Sequence, residues 1–320
     1  MNGLSMNRLY DCLGISKQSF HQKMQRLSDR RFHEHQLLFL VYELRDSHPT
    51  MGARDMYYKL LPEFMGRDAF ESFCRREGLC SERQVNGRRT TDSRGVIRFK
   101  NLTTGLIVNS LNQLWVSDIT YYEVCGKFYY LTFIMDAFSR RILGYSVSRR
   151  LYTEQTSLAA FEMAVSLRKR KALSGLIFHS DGGGQYYDKE FLIQCRKYGI
   201  INSMCEYPWE NAYAERINGV IKNNYLRHRS IRSFVDLEKE VDRSVKLYNE
   251  EKPHSALKRV SPVMFENNYL NLGKTSGGEK STTEYEKLQP EGLLQPSGLW
   301  GKHPKVQISL QNMKNNNVKQ

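Results

Sequence analysis

Paired cysteines and long apolar runs are both scarce in this 320-residue chain. Its six cysteines, at 12, 74, 80, 125, 195 and 205, form no C-x-x-C pair and suggest no disulfide framework. That argues against a disulfide-stapled secreted scaffold and for a reducing, cytosolic setting. His33, His35, Cys74 and Cys80 could together be tried as zinc ligands, but their spacing fits no compact structural zinc pattern. No stretch approaches 18 apolar residues and no apolar signal region opens the sequence, so no membrane partner is expected. An acidic excess is missing as well: 48 Lys and Arg face 34 Asp and Glu, a net charge of +14. No single basic tail accounts for it, because the excess is +6 over residues 1–110, +5 over 111–269 and +3 over 270–320. A polyanion, most often nucleic acid, is the partner such a balance suggests, contacted along much of the chain.

What is present divides the chain. Residues 1–30 carry Leu9, Leu13, Ile15, Phe20, Met24 and Leu27 at near-helical spacing, broken at Gly14, with Ser16 placed to cap a second helix. Helix, glycine-containing turn, helix is the pattern of a helix-turn-helix, and its second helix offers Lys17, Gln18 and His21 as DNA contacts. A plain helical hairpin has the same pattern. Residues 31–80 read as three further helices in a second DNA-binding module, with Arg54 exposed near a helix start. Residues 81–110, rich in Arg, Ser, Thr, Asn and Gly, read as a linker. From 111 the pattern changes to three aromatic and β-branched strands, then alternating helices and strands: an α/β domain with a mixed sheet over 111–269. Residues 270–320 are polar and unpatterned and read as a disordered tail.

The chemistry centres on "FHSDGGGQYY", 178–187, where an apolar run breaks into Asp181 and three glycines. Asp181 could simply cap an Asp-Gly turn. It has possible partners, however. Asp118 sits in the middle of "LWVSDITYY", a costly place for a lone charge unless it is paired or binds metal. Glu215 lies in "NAYAERINGVIKN", on a helix beginning near Asn211. The three can converge at one edge of a sheet. Clustered carboxylates repel one another and raise each other's pKa, and hard divalent cations such as Mg²⁺ or Mn²⁺ relieve that repulsion. Asp136 also ends a strand but reads as structural, hydrogen-bonded in the turn near Ser139 and Arg140. Lys222 follows Glu215 by seven residues, on the same helical face, with Gly219 leaving that face open between them.

In order, "LWVSDITYY", "LTFIMDAFSRRILGY", "FHSDGGGQYY", "ENAYAERINGVIKN" and "YNEEKPHSALKRVSPVMF" resemble the D,D,E transposases of bacterial insertion sequences. The resemblance is to the group with a retroviral-integrase-like core and covers about 111–266. It implies an RNase H-like integrase core preceded by all-α helix-turn-helix modules. It also implies Asp118, Asp181 and Glu215 as catalytic and metal-binding triad, and Lys222 on the DNA end. By the same resemblance the protein would bind the element's terminal repeats and target DNA as a homo-oligomer, then cleave and join strands with Mg²⁺. Two departures stand out. Asp181 and Glu215 are 34 positions apart, slightly short for the group, and Glu210 stands where an aspartate is usual. The alternatives are an inactive DNA-binding derivative and an RNase H-like nuclease without strand transfer.

Overall fold

The structure is a computed structural model that describes residues 6–80, 99–168 and 173–275. Helices α1 (Met6–Leu13), α2 (Lys17–Ser47), α3 (Ala53–Leu60) and α4 (Arg67–Arg76) come first. The core follows: β1 (Leu114–Val124), β2 (Lys127–Asp136), β3 (Ile142–Ser148), α5 (Ser157–Arg168), β4 (Ile177–Ser180), α6 (Lys189–Lys197), β5 (Ile201–Met204), α7 (Ala212–Val220), α8 (Phe234–Glu250) and α9 (Pro262–Thr275). None of the described helices is long and apolar enough to cross a membrane.

The expected antiparallel trio is present. β1 pairs antiparallel with β2 and β2 with β3. The β1–β2 turn is the two-residue loop Cys125–Gly126, both with positive φ (51° and 75°), as tight hairpins require. β4 then adds parallel to β1, and β5 parallel to β4, giving the order β3-β2-β1-β4-β5. This mixed five-stranded sheet is the arrangement that the resemblance implies for 111–269.

Alternation along the strands decides what covers each face. Val116, Phe133 and Met135 face Ile217, Ile221, Leu237, Val241 and Val245 of the later helices. Trp115, Ile134, Leu143 and Phe178 face the other way, onto Phe161, Ala164 and Phe191. On that second side α5 lies against β3 at Gly144. A Cβ there would come 2.0 Å from the Ala160 carbonyl oxygen and 2.9 Å from the Ala164 amide nitrogen. Only a residue without a side chain permits so close an approach.

Three boundaries differ from the sequence reading. Ser16 does cap the second helix, accepting from the Ser19 amide at 3.1 Å, but that helix does not stop near residue 30. It continues to Ser47 as one 31-residue element, so the proposed modules 1–30 and 31–80 share a helix. The reason is local: residues 28–36 contain no glycine or proline to end it. Phe99–Ser110 of the expected linker is part of the core, with Val108 buried and the Leu102 amide donating to Ser203 Oγ. At the other end α9 runs to Thr275, past the expected start of the tail. Residues 81–98 and 276–320 lie outside the described residues.

The helical module has its own small core of Leu37, Val41, Leu44, Met56, Phe70 and Phe73. It docks on the α/β core through polar contacts. His48 Nδ1 lies 3.1 Å from Tyr225 Oη, and its Nε2 lies 3.4 Å from Glu251. Lys59 Nζ donates to the same Glu251 at 2.9 Å, and Arg259 pairs with Asp55.

Two outcomes follow from this packing. Gly144→Ala forces α5 off the sheet and lowers unfolding free energy by about 1–3 kcal/mol, the usual cost of overpacking, measurable by urea titration. Burial pushes the His48 imidazole down to about 4. Its folded pKa is below the ordinary 6.5, so its contribution is present above that value and is lost as pH falls towards 4. Stability of His48→Gln therefore changes less between pH 6.5 and 4 than that of the unmodified protein. An identical pH profile in the two proteins would mean that His48 does not stay neutral in the fold.

Candidate active site

The parallel pairing of β1 and β4 builds the site. Its register sets Trp115 opposite Phe178 and Ser117 opposite Ser180. Asp118 and Asp181 are the residues that follow this last pair, so two carboxylates stand side by side where the pairing ends. Asp118 continues along β1, whereas the chain turns away after Ser180 into the glycine run. The Asp181 carboxylate caps that turn, Oδ1 accepting from the Gly183 amide at 3.1 Å. The turn-capping reading of Asp181 thus holds, and the same carboxylate is close enough to Asp118 for its charge to be felt there.

α7 supplies the next side chains. Asn218 Nδ2 donates to Asp118 Oδ2 at 2.7 Å. One turn earlier is Glu215, exposed to solvent and close enough to Asp118 for its charge to be felt. Asp118 is pushed up to about 7, first by loss of water and then by the charges of Asp181 and Glu215. Asp181 is also pushed up, chiefly by loss of water, with backbone hydrogen bonds opposing. Among the described residues no three His, Cys, Asp or Glu side chains form a group arranged to hold a metal ion as it stands. The two strand carboxylates are held in place and Glu215 stands off.

Past Val220 the helix widens into a π-turn, Ile221–Tyr225. Lys222 is therefore not two regular α-helical turns beyond Glu215. Its ammonium reaches back to β1, donating to Thr120 Oγ1 at 2.8 Å and lying 5.6 Å from the centre of the Tyr121 ring. Burial lowers its pKa. Gly219 is open as expected, since a Cβ there would meet only Asn223 at 3.9 Å.

The remaining sequence candidates lie on the helical module. Lys17, Gln18 and His21 are exposed on the first turns of α2. Arg54 is exposed but bonded to Glu71 at 2.8 Å. Asp136 is buried and structural: its carboxylate accepts from the amides of Asn112, Phe138 and Ser139. Cys74 is buried and Cys80 exposed, with no metal-binding group formed.

Sequence reasoning missed two amides. Asn218 holds Asp118, and Asn211 Nδ2 donates to the Ser117 carbonyl at 2.9 Å. Asn218 had a signal: it sits three residues after Glu215 and four before Lys222, on the face already singled out.

Two consecutive family models, each described as an integrase core domain, match residues 109–207 and 199–262. Together they span 109–262, a little under half of the chain. The relatives the chain matches are encoded by bacterial insertion sequences. It is 34% identical over 164 residues to a putative transposase for the element IS986/IS6110 of Mycobacterium tuberculosis, covering 49% of this chain and 59% of that protein. It is 29% identical over 234 residues to the transposase for IS629 of Shigella sonnei, covering 72% and 77%. An uncharacterized 31 kDa protein of the element IS600, also from Shigella sonnei, is 26% identical over 271 residues, covering 81% of this chain and 97% of that one. Among solved structures, the integrase catalytic core domain of HTLV-2 matches with a TM-score of 0.38 and 22% identity, over 48% of this chain and 95% of that one. Asp118 and Asp181 lie within the first matched region and Glu215 within the second.

The raised pKa of Asp118 gives a stability test. Its folded value lies above the ordinary one, so its contribution is present below pH 3.8 and is lost as pH rises through about 7. Asp118→Asn keeps an oxygen for the Asn218 amide and removes the charge. In chelator at pH 8 it melts above the unmodified protein, and the gap closes below pH 4. A lower melting temperature for Asp118→Asn at pH 8 would contradict the placement of Asp118 beside Asp181.

Proposed function

We propose that this protein is a transposase that cuts and joins DNA at Asp118, Asp181 and Glu215, and that it binds the ends of its insertion sequence through the helical module. The observation that carries the reading is the strand register that sets Asp118 beside Asp181, with Glu215 on the adjoining helix.

The donor set fits a hard divalent cation. It consists of carboxylate oxygens, two of them partly buried and raised in pKa by burial, with no sulfur or imidazole among them. Asp118, Asp181 and Glu215 would hold Mg²⁺ or Mn²⁺, which when bound activates a nucleophile and stabilises the leaving oxygen in phosphoryl transfer. The chain's own groups then have separate tasks. Asn218 fixes the Asp118 carboxylate by donating to one of its oxygens. The Gly183 amide fixes Asp181 in the same way. Glu215, exposed, closes on the pair from α7. Lys222, held at Thr120 one strand step from Asp118, offers a cation to a terminal phosphate. The attacking oxygen is that of water in cleavage and of the freed 3′-hydroxyl in strand transfer. In each step a phosphorus–oxygen bond forms as another breaks, and a 3′-hydroxyl leaves.

Lys17, Gln18 and His21 are placed to meet DNA at the start of α2. Gln18 suits base edges, and Lys17 suits phosphate with strong salt dependence. Arg54 joins them on releasing Glu71. Copies of the chain assemble on the DNA, so that two element ends are handled together.

The test uses the full chain with the element's terminal repeats. Asp181→Asn retains binding and loses strand cleavage by at least about a thousandfold, as expected when the chemistry depends on a metal-activated nucleophile. Cleavage at the unmodified rate by Asp181→Asn would overturn the triad. Tight, selective end binding by an unmodified protein that never cuts would mark an inactive DNA-binding derivative.

A further inference from the structure

The turn that carries Asp181 has little of its own to hold it. β4 ends at Ser180, and Gly182, Gly183 and Gly184 follow, with no side chains to pin the backbone. The bond from the Gly183 amide to Asp181 Oδ1 closes the turn on itself but ties it to no other element. Tyr187, past the glycine run, supplies a further tie. Its hydroxyl reaches back across the loop and donates to the Asp181 carbonyl at 2.9 Å. The backbone of the residue that bears the carboxylate is thereby held directly, one position beyond the last strand pairing.

Tyr187 is in turn held by a residue that the catalytic reading leaves unused. Phe99 stacks on its ring, with centres 5.7 Å apart and planes 25° apart. An offset stack of this kind sets the plane of a ring as well as covering it. Phe99 leads into the core, and the stretch it begins is anchored at the same strand end. Three residues on, the Leu102 amide donates to Ser203 Oγ at 2.9 Å, and that hydroxyl lies 2.9 Å from His179 Nδ1. His179 is buried two residues before Asp181. One short stretch, 99–102, therefore bears on the strand end through Ser203 and on the turn through Tyr187.

We infer that the Tyr187 hydroxyl is a positioning group for Asp181, and that Phe99 sets that hydroxyl in place. The inference rests on the proposed role of Asp181 in holding Mg²⁺ or Mn²⁺. It adds that the stretch leading into the core, and not the sheet alone, fixes where this carboxylate stands. Groups that orient a metal-binding side chain govern its affinity for the ion. Two rings that only covered one another would behave differently: removing the hydroxyl would change nothing, because the ring of phenylalanine stacks as well.

The test starts without metal. Hydrogen exchange of the full chain is followed in chelator over peptides spanning 179–187, where the amides of Gly183, Tyr186 and Tyr187 are bonded within the turn. Tyr187→Phe and Phe99→Ala each speed exchange there roughly fivefold, as loss of one hydrogen bond allows, and leave α8 unchanged. Phe99→Tyr, which keeps the stack, exchanges like the unmodified protein. Mn²⁺ is then titrated in, read by the paramagnetic signal of the free ion. Affinity falls roughly tenfold in the first two variants and is retained in Phe99→Tyr. Combining Tyr187→Phe with Phe99→Ala is no worse than Tyr187→Phe alone, because both act through one hydroxyl. Unchanged exchange in Tyr187→Phe overturns the inference, as does additive loss in the combined variant. A protein that takes up no Mn²⁺ yet shows the faster exchange keeps the positioning of Asp181 and loses the metal-holding reading. One in which Asp181→Asn abolishes cutting, while Tyr187→Phe alters neither exchange nor Mn²⁺ affinity, loses the positioning role alone.

Discussion

The arrangement depends on one pairing: the parallel register of β1 and β4 that leaves Asp118 and Asp181 adjacent where the sheet ends. Two partly buried carboxylates at neighbouring positions are unfavourable by themselves, and their raised pKa values express that. The surrounding fold makes the placement tolerable. The sheet behind them is packed on both faces, by Ile217 and Val241 on one side and by Phe161 and Phe191 on the other. The close approach of α5 at Gly144 braces the outer strand of that sheet. A stable scaffold holds an unstable pair.

The site's polar neighbours are mostly neutral amides and hydroxyls rather than cations. Asn218 bonds Asp118, Asn211 bonds the strand at Ser117, and Tyr186 Oη lies 2.8 Å from Ser117 Oγ. A neutral donor orients a carboxylate without neutralising it. An arginine in the place of Asn218 would form a bidentate ion pair and satisfy the charge permanently. The chain does this elsewhere. At Glu266, buried against Arg141 and Arg168, the carboxyl is held below the ordinary range by those hydrogen bonds and charges, against the opposing effect of burial, and it serves packing. The contrast separates a carboxylate meant to stay paired from one left able to take a ligand.

Much of this was legible from residue order. The three aromatic and β-branched strands, the break after Ser180 and the structural role of Asp136 follow from local pattern, because alternation and turn chemistry act over a few residues. Sheet order is a different matter. Nothing in "LIFHSD" states that it pairs with β1 rather than β3, and that pairing is what makes Asp118 and Asp181 neighbours. The 31-residue α2 was missed because its apolar residues change face along its length: Phe20 points towards Tyr10, whereas Leu37, Val41 and Leu44 face the small helical core. A single helix serving two partners reads as two helices. The π-turn was missed for a related reason, since "IKNNY" has no local signal against a regular helix and its widening comes from what it touches.

Those contacts place the π-turn between the two halves of the molecule. Tyr225, at its end, meets His48 from the helical module. Lys222, near its start, meets Thr120 two residues beyond Asp118. In a regular α-helix these two residues, three apart, would lie about 300° around the axis and so on nearly the same face. The wider turn changes that angle, letting one side chain reach the strand while the other reaches a separate domain. A π-turn costs hydrogen-bond geometry and is rare for that reason, so it persists where such a divergence is required. Five residues thereby link His48 of the helical module to the strand that holds Asp118.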